Sequence, residues 1–223
     1  RDWYRPDLQS VVIVGDFEPQ DMLALVERYF GVIPKREEVR PREDFSVPEN
    51  LAPQAIVTTD PEYPNNLLQV MWKKDVQRMS NLGEYYDNLK TSLFYTMLNL
   101  RLEEKSKTAD PPYSFAAATE YPLLRTMSAA MMFAMYTQGK SEEALRTVLN
   151  EAERVQRYGF LPSEFERAKI DILRGAEQDV AEQGTRESGR IAWEIVDAVS
   201  NQNVFTSAEF RQMLTQELIQ AVT

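Results

Sequence analysis

The chain has 223 residues, a formal net charge of −10 from 25 Lys plus Arg against 35 Asp plus Glu, and neither His nor Cys. The two zeros exclude a thiolate or imidazole zinc centre, a catalytic imidazole base and any disulfide. The acidic balance argues against nucleic acid, which needs an excess of phosphate-neutralising Lys and Arg, and no apolar run approaches the ~20 residues of a membrane span.

With 43% apolar and 27% charged residues, the chain has the composition of a folded domain. Its length allows one large domain or two small ones, and the order of elements predicts a single domain over 1–223. The first predicted element is Val11–Val14, four apolar β-branched residues closed by Gly15-Asp16, the pattern of a buried strand. Leu23, Val26 and Phe30 then fall at helical spacing, with Pro19 suited to the first turn and Gly31 to the stop. Residues 32–55 carry Pro34, Pro41, Pro48 and Pro53, a density that predicts an extended surface crossing. Ala55–Thr59 and Leu67–Trp72 read as two strands joined by a turn.

A long helix is predicted from about Ser80, its N-cap, to Ser106. Leu82, Tyr85, Tyr86, Leu89, Leu93, Met97 and Leu100 form its apolar stripe. Two strands follow, Tyr113–Glu120 and Arg125–Thr137. The second is apolar at both parities, so both its faces are expected to be covered. Helices are predicted from Ser141 to Tyr158, from a Ser163-x-x-Glu166 capping box onward, near Glu187–Ser200 and at Ser207–Gln220. The order β-α-β-β-α-β-β-α-α-α predicts an α+β fold, a mostly antiparallel sheet with helices packed on one face.

The remaining catalytic candidates are the acidic pairs Glu37-Glu38, Glu103-Glu104, Glu142-Glu143 and Glu151/Glu153. Adjacent acids on a helix point about 100° apart and do not converge on one site, so solvated faces are expected. Gly15-Asp16 lacks the further glycines of a phosphate loop. The methionines clustered over Met127–Met135 read as core filling.

Three segments carry a resemblance: Trp3-Tyr4-Arg5-Pro6-Asp7-Leu8, then Val11-Val12-Ile13-Val14-Gly15-Asp16-Phe17, then Val26-x-x-Tyr29-Phe30-Gly31. In order and separation they resemble the signature of the M16 zinc peptidases, the pitrilysin and insulinase family that includes the mitochondrial processing peptidase. Tyr158–Lys169 resembles a later stretch of the same family. In that family an inverted zinc motif, His-x-x-Glu-His, lies in a domain ahead of this signature, and nothing in this chain matches it. The resemblance therefore implies the non-metal-binding companion domain, a fragment of a longer peptidase that is inactive alone. It would help enclose peptide substrate beside zinc carried by the missing preceding domain, with a second M16-like half as a further partner. The alternative is an inactive M16-like scaffold subunit. The family's substrate-clamping Arg and Tyr resemble Leu100-Arg101 and Tyr113, where a guanidinium and a phenol could donate to a peptide carbonyl. The alternative for these two is an ion pair with a neighbouring acid and packing beneath the sheet. Bacterial members point to a periplasmic or cell-envelope site.

Overall fold

A computed structural model describes residues 3–35 and 38–223. Among them are six α-helices: α1 (Pro19–Phe30), α2 (Leu82–Ser106), α3 (Ser141–Tyr158), α4 (Pro162–Glu182), α5 (Ser188–Asn201) and α6 (Ala208–Leu218). Three strands, β1 (Asn66–Lys74), β2 (Phe115–Leu124) and β3 (Met127–Tyr136), form one antiparallel sheet in the order β1-β3-β2. The α+β class expected from the pattern is the one observed, with α2 and α3 packed on one face of the sheet.

β3 is the central strand, paired on both edges. The register sets Leu68 opposite Ala134 and Ala134 opposite Ala116, while Met132 faces Ala118. These even-numbered residues point to the helices. Ala116, Ala118, Met132 and Ala134 join Leu98, Leu102, Ala144 and Val148 in one core cluster. The small alanines let α2 and α3 approach the sheet closely. The opposite face is only half covered: Met131, Phe133 and Met135 keep partial exposure there, and Met71 and Phe115 are exposed. This corrects the expectation that β3 is covered on both faces.

α2 links two layers. Leu98 and Leu102 face the sheet, whereas Leu89, Leu93 and Met97 pack against Ala168 of α4 and Ile219 and Val222 after α6. The predicted stripe misses Leu98 and Leu102 and includes Leu82, which is exposed. The buried face rotates along the helix as its neighbours change from helices to sheet. Phe160, between α3 and α4, packs against both clusters.

The helix ends differ from the predicted caps by one or two residues. Asn81, not Ser80, caps α2 by accepting the Glu84 N–H at 3.0 Å, and the Glu84 carboxylate accepts the Ser80 N–H at 2.7 Å. At α4 it is Glu164, not Glu166, whose carboxylate reaches back, accepting the Leu161 N–H at 2.6 Å.

Two predicted strands are absent among the described residues. Val11–Val14 and Ala55–Thr59 belong to no ladder. A strand needs an edge to join, and the β2 edge is occupied by α2. There the Asn99 side chain donates to the Ala118 carbonyl at 3.0 Å and accepts its N–H at 2.6 Å, a plug that closes the edge to further pairing. Among the described residues before Asn66, Arg5 alone is buried.

Candidate functional site

With β2 closed, the open edge of the sheet is β1. Lys73 Nζ donates to the Pro48 carbonyl at 2.6 Å and to Asn50 Oδ1 at 2.9 Å, pinning the proline-rich crossing to one end of β1. At the same end Thr126 Oγ1 donates to the Phe45 carbonyl at 2.8 Å. From there residues 54–58 run beside β1 without pairing to it, and a turn at Asp60–Tyr63 leads back into the strand. Between them lies an open cleft of about 750 Å³, lined by Gln54, Ile56 and Thr58 on one wall and by Leu67, Gln69 and Met71 on the other.

The cleft has the chemistry of a site for extended peptide. The edge of β1 offers backbone groups that pair with no strand among the described residues, and residues 49–59 make no backbone hydrogen bond there. A strand laid into the gap would meet main-chain partners and alternating side chains, the arrangement of β-strand addition. Its floor continues onto the half-covered face through Met71, Met131 and Phe133, soft and adaptable surfaces. None of these residues stands out in the sequence. The signal that could have found them is the odd-numbered set Leu67, Gln69 and Met71, beside a short apolar run confined by prolines.

Arg101 and Tyr113 both lie near the C-terminal end of α2 but serve different neighbours. Arg101 makes a two-pronged pair with Glu164, Nε to Oε1 at 2.6 Å and Nη2 to Oε2 at 2.7 Å. It also donates to the Gly159 carbonyl at 3.1 Å and lies 4.8 Å from the Phe160 ring centre. Gly159 has φ 65°, ψ −154°, a region essentially restricted to glycine, so this corner is specified by both residues. The bonds from Arg101 hold the Glu164 carboxyl below the usual carboxylate range and raise the guanidinium further. Tyr113 is 1% exposed and donates to the Leu102 carbonyl at 2.9 Å. Burial, with nearby Glu151, pushes its phenol up to about 12. The two side chains share no hydrogen-bond partner.

The acidic pairs are used singly. Glu103 pairs with Lys107 at 2.6 Å, Glu142 with Arg146 at 2.7 Å, and Glu153 with Arg157. Glu151 is buried, with Arg154 Nη1 at 2.8 and 3.0 Å from its two oxygens and Lys105 Nζ at 3.7 Å. The pair Glu37-Glu38 falls partly outside the described residues. Among those described, no three acidic groups converge as a metal site. With no His or Cys in the sequence, the donor set does not fit zinc.

The family described as the peptidase M16 inactive domain matches residues 1–171. Among curated proteins, "Probable zinc protease PqqL" of Escherichia coli K12 is 19% identical over 99% of this chain and 24% of its own length. "Zinc protease PQQL-like" of Arabidopsis thaliana is 28% identical over 50% of this chain and 12% of its own. The chain thus spans at most about a quarter of these relatives. The crystal structure of the first half of the periplasmic protease PqqL from E. coli superposes with a TM-score of 0.83 at 18% identity, covering 100% of this chain and 47% of that one. An insulinase family protease from Yersinia pestis gives 0.78 at 11% identity, covering 94% and 45%.

Proposed function

The chain belongs to the family of the peptidase M16 inactive domain, and from that premise we propose that it is the non-catalytic wall of a larger zinc metallopeptidase, presenting its β1 cleft to extended peptide. The observation that carries the proposal is the one-sided sheet. Helices seal one face and Asn99 plugs one edge, while the other edge and face offer free backbone and apolar side chains. Zinc and the general base belong to a preceding domain in this proposal, because this chain has neither His nor Cys and its described carboxylates form no ligand cluster. Its contribution is binding and orientation, which lowers the cost of bringing the scissile bond to the metal. A second M16-like half would close the space from the other side. The periplasm is the proposed compartment, supported by the periplasmic relative in E. coli.

In this proposal Arg101 and Tyr113 touch peptide only if released from Glu164 and Leu102. The geometry supports a bracing part for both.

The experiment is a kinetic split on the full-length protein. Met71→Glu should raise KM for a peptide with apolar side chains about tenfold and leave kcat within about twofold, because uniform binding is removed. Met71→Leu should behave as wild type. An unchanged KM in Met71→Glu, with the protein folded, would sink the cleft as a peptide site. A full-length protein without zinc or cleavage would favour the scaffold alternative.

A further inference from the structure

The start of α2 is tied to the loop between α5 and α6. The Val204 N–H donates to the Met79 carbonyl at 2.9 Å, and the Met79 N–H donates to Asn203 Oδ1 at 2.8 Å. Tyr85 Oη lies 2.9 Å from Thr215 Oγ1 and donates to the Arg211 carbonyl at 3.3 Å, which ties α2 to α6. Between these bonds lies a cavity of about 270 Å³, walled by Leu82, Tyr85, Val204, Phe210 and Leu214, with Arg211 beside them. It shares no lining residue with the β1 cleft. Its size is just below the ~300–1,000 Å³ usual for ligand pockets, and its makeup, mostly apolar with a placed charge, is theirs.

Arg211 breaks a pattern that the other sheltered cations keep. Arg5, Arg101, Lys105, Lys140, Lys169 and Arg186 are buried or half-buried, and each pairs with a carboxylate. Arg211 is half-buried as well, yet among the described residues its guanidinium makes one hydrogen bond, Nη1 to the Thr206 carbonyl at 2.5 Å, and no ion pair. The acids in the first turns of α2 and α6 are engaged elsewhere, Glu84 with Ser80 and Glu209 with Gln183. The Nε–Nη2 edge of Arg211 is therefore without an acceptor. That is the edge by which Arg101 grips Glu164, and its two parallel N–H groups match the two oxygens of a carboxylate. A guanidinium held at an apolar cavity without its counter-ion is poised to take one from outside the chain.

We infer that this cavity binds a small carboxylate with an apolar or aromatic body, the carboxylate on the Nε–Nη2 edge of Arg211 and the body against Tyr85, Phe210 and Leu214. At ~30 Å³ for each water-sized group, the space admits about nine such groups, the size of an arylacetate or a medium-chain acid. The ligand would bridge the start of α2 and the start of α6, and by binding the folded state it would stabilise that junction.

A ligand-observed NMR titration of the full-length protein with phenylacetate tests this, and none of its readouts involves zinc or cleavage. Phenylacetate should bind with Kd on the order of 1 mM or tighter, as a fragment of this size can. 2-Phenylethanol, which keeps the ring and lacks the charge, should bind at least about tenfold more weakly. Arg211→Gln should weaken phenylacetate at least about tenfold and leave 2-phenylethanol within about twofold, because only the charged contact is lost. Val204→Trp, at a position 58% exposed, should fill the cavity and weaken both without unfolding the protein, so the site is tested even if Arg211→Gln fails to fold. Equal affinity for the acid and the alcohol, phenylacetate binding unchanged in both variants, or no binding at about 10 mM would overturn the inference. So would binding of the tripeptide Gly-Gly-Phe without binding of phenylacetate, which would give the cavity to a peptide C-terminus.

Discussion

Replacing Leu102 with alanine should lower the unfolding free energy by about 2–5 kcal/mol, the range for a fully buried leucine whose neighbours cannot collapse into the space. Leu102 is 0% exposed and stands where α2 meets both the sheet and α3, among Ala118, Ala134 and Val148. Those neighbours are short and fixed in strands and helix, so they relax little. Its carbonyl also accepts the buried Tyr113 phenol, so a shift of the α2 backbone would strain that bond as well. Urea denaturation should show a lower midpoint at unchanged slope. Leu51→Ala, at a fully exposed position, should stay within about 0.5 kcal/mol of wild type. Equal midpoints for the two variants would contradict the core described above.

Arg101→Ala should cost about 2–4 kcal/mol at neutral pH, since it strands a partly buried carboxylate and removes a hydrogen bond to Gly159. The loss should depend on pH with a definite sign. The folded-state pKa of Glu164 is lowered, first by the Arg101 hydrogen bonds. The pair's contribution is therefore present above the unfolded carboxylate value of about 4.3 and fades as pH falls through the lower folded value. The gap between wild type and variant should narrow in acid but not vanish, because the Phe160 and Gly159 contacts do not titrate there. Glu164→Gln should remove the acid dependence as well. A pH-independent gap would contradict the pairing. In the full-length protein, a fall in kcat/KM with stability intact would instead assign Arg101 to peptide.

Local pattern reported the kind of surface each segment carries, but not the molecule that covers it. Met127–Tyr136, apolar at both parities, is the central strand, although its second face is only half covered. Val11–Val14 carries the same signal and belongs to no ladder among the described residues, because pairing is a long-range property. Ala55–Thr59 lies beside β1, as a hairpin pattern suggests, yet stands apart from it. Lys73 anchors Pro48 and Asn50 at one end of β1, and carbonyl positions leave no mark on composition. Arg101 was legible as a residue of interest, but Glu164 lies 63 residues away and no spacing rule connects them. The helix caps shifted because several Ser, Asn and Glu residues compete near each end, and backbone geometry decides among them.

Photo-crosslinking on the full-length protein tests the peptide wall most directly. A benzophenone side chain at position 56 or 71, facing each other across the cleft, should couple to a bound peptide. The same group at position 177, exposed on α4 in the helical layer, should not. Coupling at 56 and 71 that an unlabelled competing peptide abolishes is the expected result. Coupling at 177 alone, or none at 56 and 71 while the protein cleaves that peptide, would contradict it.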